Sequence, residues 1–101
     1  MNYFLANVPA SSTEYQLIQA NSSFGVKILA AILSAGSTAT TIVFNTGSTP
    51  ISPTITCPAN SPVILPITDQ GWFERSNPSD NLTITTGAGS TVGIQLIWTY
   101  A

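Results

Sequence analysis

Histidine is absent from this chain of 101 residues, and charge is scarce: two basic and four acidic side chains, 6% of the whole. An ordinary domain carries about 25%. Each shortage excludes something. Without histidine, the commonest general base and metal ligand is missing, and a serine nucleophile has no imidazole to activate it. Lys27 and Arg75 alone cannot build a phosphate-tracking surface, so no nucleic acid partner is expected. The single cysteine, Cys57, rules out an internal disulfide framework and fits a reducing compartment better than a secreted one. Long hydrophobic runs are lacking as well. The greasiest stretch, VKILAAILSAG at 26–36, is fenced by Gly25 and Gly36 and falls short of the ~20 apolar residues that span a bilayer, so no membrane partner is expected. The opening MNYFLANVPASSTEY has neither the basic start nor the apolar run of a signal peptide, and no targeting segment is expected.

What remains is an apolar, hydroxyl-rich chain: 44% hydrophobic, net charge -2, with Ser, Thr, Asn and Gln supplying the solvated face. Net charge normally keeps monomers apart, so a surface of this kind expects neighbours. The length fits one domain with a core of its own. VKILAAILSAG suits a helix by its Ile28, Leu29, Ile32, Leu33 spacing and a strand by its Val26, Ile28, Ala30, Ile32 alternation. Its neighbours favour the strand. TTIVFN, ISPTITC, NLTITT and VGIQLIWTY all alternate with period two, the last placing Val92, Ile94, Leu96, Trp98 and Tyr100 on one face. NSS at 21–23, NTGS at 45–48, PANSP at 58–62, TDQG at 68–71 and TGAGS at 86–90 read as turns. The pattern predicts about eight antiparallel strands, near 14–20, 26–35, 40–45, 51–57, 62–67, 71–74, 81–86 and 92–100, the third covered on both faces. The fold class expected is all-β: a single jelly-roll β-sandwich over residues 13–101. Residues 1–12 read as an N-terminal arm, in which Tyr3, Phe4 and Leu5 form an edge strand or reach onto a neighbouring subunit.

Groups capable of chemistry are few. Glu14, Asp69, Glu74 and Asp80 are the carboxylates, and Asp69 and Glu74 flank the aromatic pair of QGWF. Two carboxylates can run a glycosidase, yet two acids beside a turn read more simply as solvated loop residues. The dense acidic spacing of a calcium loop is missing. TGAGSTVG at 86–93 departs from the G-x-G-x-x-G spacing and links strand to strand, with no helix to hold a phosphate. Cys57 falls on the apolar side of its strand and reads as a buried thiol. NSS at 21 and NLT at 81 match glycosylation sequons, a weak signal in a chain of this composition. No enzymatic activity, cofactor, metal site or small-molecule substrate is expected. Trp72 and Phe73, adjacent in an extended segment, point to opposite faces, so that one ring caps the core and the other serves as an interface anchor, unless both lid the end of the body. The candidate interface is therefore Tyr3, Phe4, Leu5, Trp72 and Phe73.

Three segments carry a resemblance. VKILAAILSAGSTATTIVFNTGSTPIS, the ILP…GWFE stretch and NLTITTGAGSTVGIQLIWTY, together spanning residues 24–101, resemble the small jelly-roll decoration and cement proteins of tailed bacteriophage capsids. The resemblance implies a virion protein on the capsid exterior, a homotrimer that bridges subunits of the major capsid protein and strengthens the shell by contact alone. It leaves the first residues uncovered, and similar modules occur in phage fibres. The alternative is a carbohydrate- or receptor-binding sandwich of a fibre or tail, motivated by Trp72, Phe73, Trp98 and Tyr100.

Overall fold

β-branched and aromatic residues alternate with hydroxyl and amide side chains along most of the chain, a pattern that suits half-buried strands. The computed structural model describes all 101 residues and contains nine strands: β1 (Asn2–Val8), β2 (Tyr15–Ile18), β3 (Val26–Ala35), β4 (Thr40–Thr46), β5 (Thr49–Pro50), β6 (Ile55–Cys57), β7 (Pro62–Leu65), β8 (Leu82–Thr86) and β9 (Val92–Tyr100). There is no helix, and all strand pairs are antiparallel. One sheet has four strands in the order β1-β9-β3-β7. The other has five: β2-β8-β4, with β5 and β6 pairing successive stretches of the far side of β4. The pairings follow one rule, β1 with β9, β2 with β8, β3 with β7 and β4 with β6. The chain is thus a long strand pair doubled back around β5, and the β3–β9 and β4–β8 ladders complete the sheets.

The all-β expectation holds, and several details differ from it. VKILAAILSAG is strand β3, but its simple alternation breaks. The register against β9 shifts between Ile28 and Ala30, so the chain gains one residue there as a bulge. Beyond the bulge Ala31, Leu33 and Ala35 are buried, while Ile32 and Ser34 are exposed. The strand is covered on one face, not two, because the second sheet lies over one side of it. Residues 2–8, expected within an arm, are strand β1, paired in unbroken register with β9 of the same chain. Phe4, Ala6 and Val8 continue the inner face of β9 and pack against the core, which is why this segment belongs to the sheet. The strand expected at 71–74 is only a bridge between Trp72 and Ile28: Gly71 (φ 83°) and Phe73 (φ 63°) leave the extended region. The strand expected at 51–57 shortens to β6, since Pro53 offers the ladder no N–H.

Sixteen buried residues from both sheets form one core, with Phe44, Ile28, Leu33, Ile42, Leu82, Ile84 and Leu96 among its largest members. Burying each such side chain contributes about 1.5–3 kcal/mol. β7 pairs only with residues 31–34 of β3, and the segment 66–81 covers the rest of that edge. Thr68 N donates to Leu29 O, Trp72 N to Ile28 O and Ser76 N to Val26 O. The hydroxyl of Ser76, fully buried, accepts from Val26 N at 2.7 Å. Gly25 permits this closure, since a Cβ there would collide with the Ser76 carbonyl.

Candidate functional site

The outer face of the four-stranded sheet is the most distinctive surface of the molecule. Register places its side chains in rows. One row runs Leu5, Gln95, Ile32, Ile64, and the next runs Tyr3, Ile97, Ala30. A third, more polar row holds Asn7, Gly93, Ser34 and Pro62. Leu5 is 72% exposed, Tyr3 69%, Ile64 61% and Ile67 57%. The bulge in β3 creates this arrangement, because it turns Ala30 and Ile32 outward while their neighbours go to the core. Two shallow depressions mark the face. One of ≈ 350 Å³ lies between Leu5, Asn7, Ile32 and Gly93. The other, ≈ 230 Å³ and almost wholly apolar, lies between Ala30, Ile32, Ile64, Ile67 and Ile97. No charged side chain lines either one.

The outer face of the five-stranded sheet is chemically opposite. It carries Thr41, Val43, Asn45, Thr83 and Thr85, of which Asn45 and Thr83 are buried and hydrogen-bonded. Asn45 Nδ2 donates to Thr85 Oγ1 at 3.1 Å, and Thr83 Oγ1 donates to Gly47 O at 2.7 Å. A depression of ≈ 320 Å³ there is bordered by Thr13, Glu14, Asn45 and Thr85. The outer face of one sheet is thus mainly hydroxyl and amide, and that of the other holds an apolar patch.

The candidate interface residues divide between the two roles. Tyr3 and Leu5 lie on the apolar outer face, whereas Phe4 points inward and packs against the core. Trp72 and Phe73 are both half-buried against the core, so the alternative in which both rings lid the body describes them. Trp72 Nε1 donates to Pro66 O at 2.7 Å, and the Phe73 ring lies 5.9 Å from that of Phe44. The left-handed φ of Phe73 cancels the alternation that would have sent one ring outward. Trp98 packs edge-on against Tyr100 at 4.9 Å, and its Nε1 is buried with no hydrogen-bond partner. These four rings form no common exposed platform.

The groups capable of chemistry stay apart. Asp80 Oδ2 accepts from Thr46 Oγ1 at 3.0 Å, a structural bond behind the β4–β5 turn. Glu74 is exposed, and neither it nor Asp69 lines any of the three depressions. Lys27 Nζ reaches the Asp69 carbonyl at 2.9 Å, and Arg75 the Ala101 carbonyl at 3.2 Å. Cys57 is fully buried on β6, and desolvation pushes its thiol above the ordinary value of 9.0. No three His, Cys, Asp or Glu side chains gather as metal ligands would. The two sequon asparagines have structural bonds: Asn21 Oδ1 accepts from Ser23 N and Phe24 N, and Asn81 Oδ1 from Ala20 N.

Ile32, Ile64 and Ile67 are the surface residues that sequence reasoning missed. PVILPI carried a signal for two of them: with Val63 and Leu65 half-buried on one side of β7, Ile64 falls on the other side and Ile67 lies beyond Pro66. No protein family matches this chain by sequence, and no curated protein matches it either.

Proposed function

We propose that this protein is a structural component of a phage particle, decorating and cementing the outer surface of the capsid by contact with the major capsid protein. The observation that carries the reading is the apolar patch on the outer face of the four-stranded sheet, whose two depressions no charged side chain lines, with Tyr3, Leu5, Ile32, Ile64 and Ile67 open to solvent. Large apolar patches on soluble proteins mark interaction surfaces. The strand orders β1-β9-β3-β7 and β2-β8-β4-β6, with the chain doubled back on itself, support the finer reading of the fold as a jelly-roll sandwich. The likeness of residues 24–101 to phage decoration proteins supports the placement on a virion, with three copies around a local three-fold of the shell. Packed strands and bonded turns suit a clamp that adds contact area.

The test is the copy number of this chain relative to the major shell protein in purified particles. A near-stoichiometric ratio supports cementing. A handful of copies moves the chain to a tail or fibre, and absence from particles ends the proposal. Ile64→Lys probes the face itself. At 61% exposure the substitution should change fold stability by no more than about 0.5 kcal/mol, yet it should release the protein from particles; full retention would clear this face of any role. Native mass spectrometry of gently dissociated particles tests the trimer, which fails if monomers alone appear.

A further inference from the structure

Each sheet has two edges, and three of the four are closed to further pairing. β7 is four residues long, begins at Pro62 and stops before Pro66, and segment 66–81 caps the remainder of its side of β3. β2 has four residues, an irregular register and Glu14 at φ 52° just before it. β5 and β6 are two and three residues long, separated and flanked by Pro50, Pro53 and Pro58. Short strands, prolines, bulges and charges are the devices by which proteins blunt sheet edges. β1 carries none of them within its length, and only Pro9 flanks it. It has seven residues, no charge, no proline and no register shift.

The backbone groups on this open edge can be named. Gly25 and Ala101 exchange both of their backbone hydrogen bonds, each 2.9 Å. Alternation along β9 then aims Thr99 and Ile97 at β3, and Trp98, Leu96, Ile94 and Val92 at β1. The partners of the latter four are Asn2, Phe4, Ala6 and Val8. Tyr3, Leu5 and Asn7 therefore present their N–H and C=O groups outward, and no loop backbone bonds to them. The same three residues carry the side chains of the exposed face.

We propose that β1 pairs antiparallel with β1 of a second copy across a two-fold axis, Leu5 opposite Leu5, fusing two four-stranded sheets into one. Strand β1 is self-complementary in this register. All three free residues find partners (Tyr3 with Asn7, Leu5 with Leu5, Asn7 with Tyr3), giving about six backbone bonds between copies. Phe4 falls opposite Ala6 on the inner face, large against small. No charged side chain of β1 opposes the contact, and the row Ile64, Ile32, Gln95, Leu5 continues into its two-fold copy. A shift by two residues toward the C-terminus would bring Pro9, which lacks an N–H, opposite Tyr3. The seam is about 23 Å long, well short of a standard interface, so free chains pair with a dissociation constant on the order of 10 µM to 1 mM. On a crowded surface the contact strengthens through effective concentration. A two-fold contact joins copies in pairs, so it is separate from any three-fold contact and stands whether or not the chain coats a capsid.

Residue-resolved amide exchange on the intact protein at low and high concentration, with sedimentation, tests this. In the dilute protein the amides of Tyr3, Leu5 and Asn7 should exchange fast while those of Phe4 and Ala6 are protected. At about 1 mM, where such weak pairs populate, the weight-average sedimenting mass should rise at least about 1.5-fold and the three fast amides should slow at least about twofold. Leu5→Pro removes one outward N–H and none of the β1–β9 bonds, and Leu5→Lys sets like charges face to face. Both should keep the circular dichroism of the parent and abolish the rise in mass. Mass that never rises, or rises while Tyr3, Leu5 and Asn7 stay fast, overturns the proposal. So does a Leu5→Lys variant that pairs as well as the parent. None of these results bears on particle copy number, so the capsid reading stands or falls separately.

Discussion

Replacing Ser76 by alanine removes one oxygen from the most deeply buried polar side chain of the molecule. That oxygen is the sole partner found for Val26 N, in a residue only 1% exposed. The neighbouring bond from Ser76 N to Val26 O survives, so the segment stays in place and the Val26 N–H is left buried and unpaired. An orphaned buried donor costs about 1–3 kcal/mol. Taking ~2 kcal/mol, and about 4–8 °C per kcal/mol for a domain of this size, the melting temperature should fall by about 8–16 °C. Ser22→Ala, at an exposed loop position, is the control and should move stability by less than about 0.5 kcal/mol. Differential scanning calorimetry measures both, and amide exchange locates the damage, which should concentrate at Val26. If Ser76→Ala melts within about 2 °C of the parent, the hydroxyl does not close this edge and the account of segment 66–81 is wrong.

Gly25→Ala should be worse, because the added carbon collides with backbone and not with a movable side chain. A loss of about 3 kcal/mol or more, or failure to fold, is expected by denaturant titration, and a loss below 1 kcal/mol would show that the loop yields. Cys57 should resist thiol reagents in the native protein and react at once in denaturant, because it is fully buried and held as the neutral thiol. Its raised pKa also sets a sign: the unfolded chain loses this proton first, so stability is intact below 9.0 and falls as pH rises above it. A melting temperature flat from pH 8 to about 10.5 would contradict this.

Much of the fold was legible because period two is a direct imprint of one buried face. Val92, Ile94, Leu96 and Trp98 read correctly as the inner face of β9, since nothing interrupts that strand. β3 misled because the register shift near Leu29 reverses the parity halfway along, and a bulge in a run of aliphatic residues leaves no compositional trace. The same shift hid the outer surface, since Ile32 was counted with the core. Phe73 misled for a related reason: its left-handed φ cannot be read from a sequence in which Gly71 is the obvious turn residue. β1 was ambiguous because seven uncharged residues beside no evident partner suit an arm as well as an edge, and only its register against β9 decides between them.

The doubled-back pairing has a kinetic consequence. The local contact available to a nascent chain is the tight turn joining Thr46 to Thr49; every later ladder joins segments farther apart, ending with Asn2 opposite Trp98. Loop-closure entropy favours pairing from the middle of the sequence toward its ends, and slow folding is expected of such a non-local β topology. During synthesis, at about 5–20 residues per second, β1 emerges first and waits several seconds for β9 to follow. The outward edge of Tyr3, Leu5 and Asn7 comes into being only when that last ladder closes. A contact made through this edge would accept finished molecules and pass over incomplete ones, so that the fold itself acts as the checkpoint for assembly.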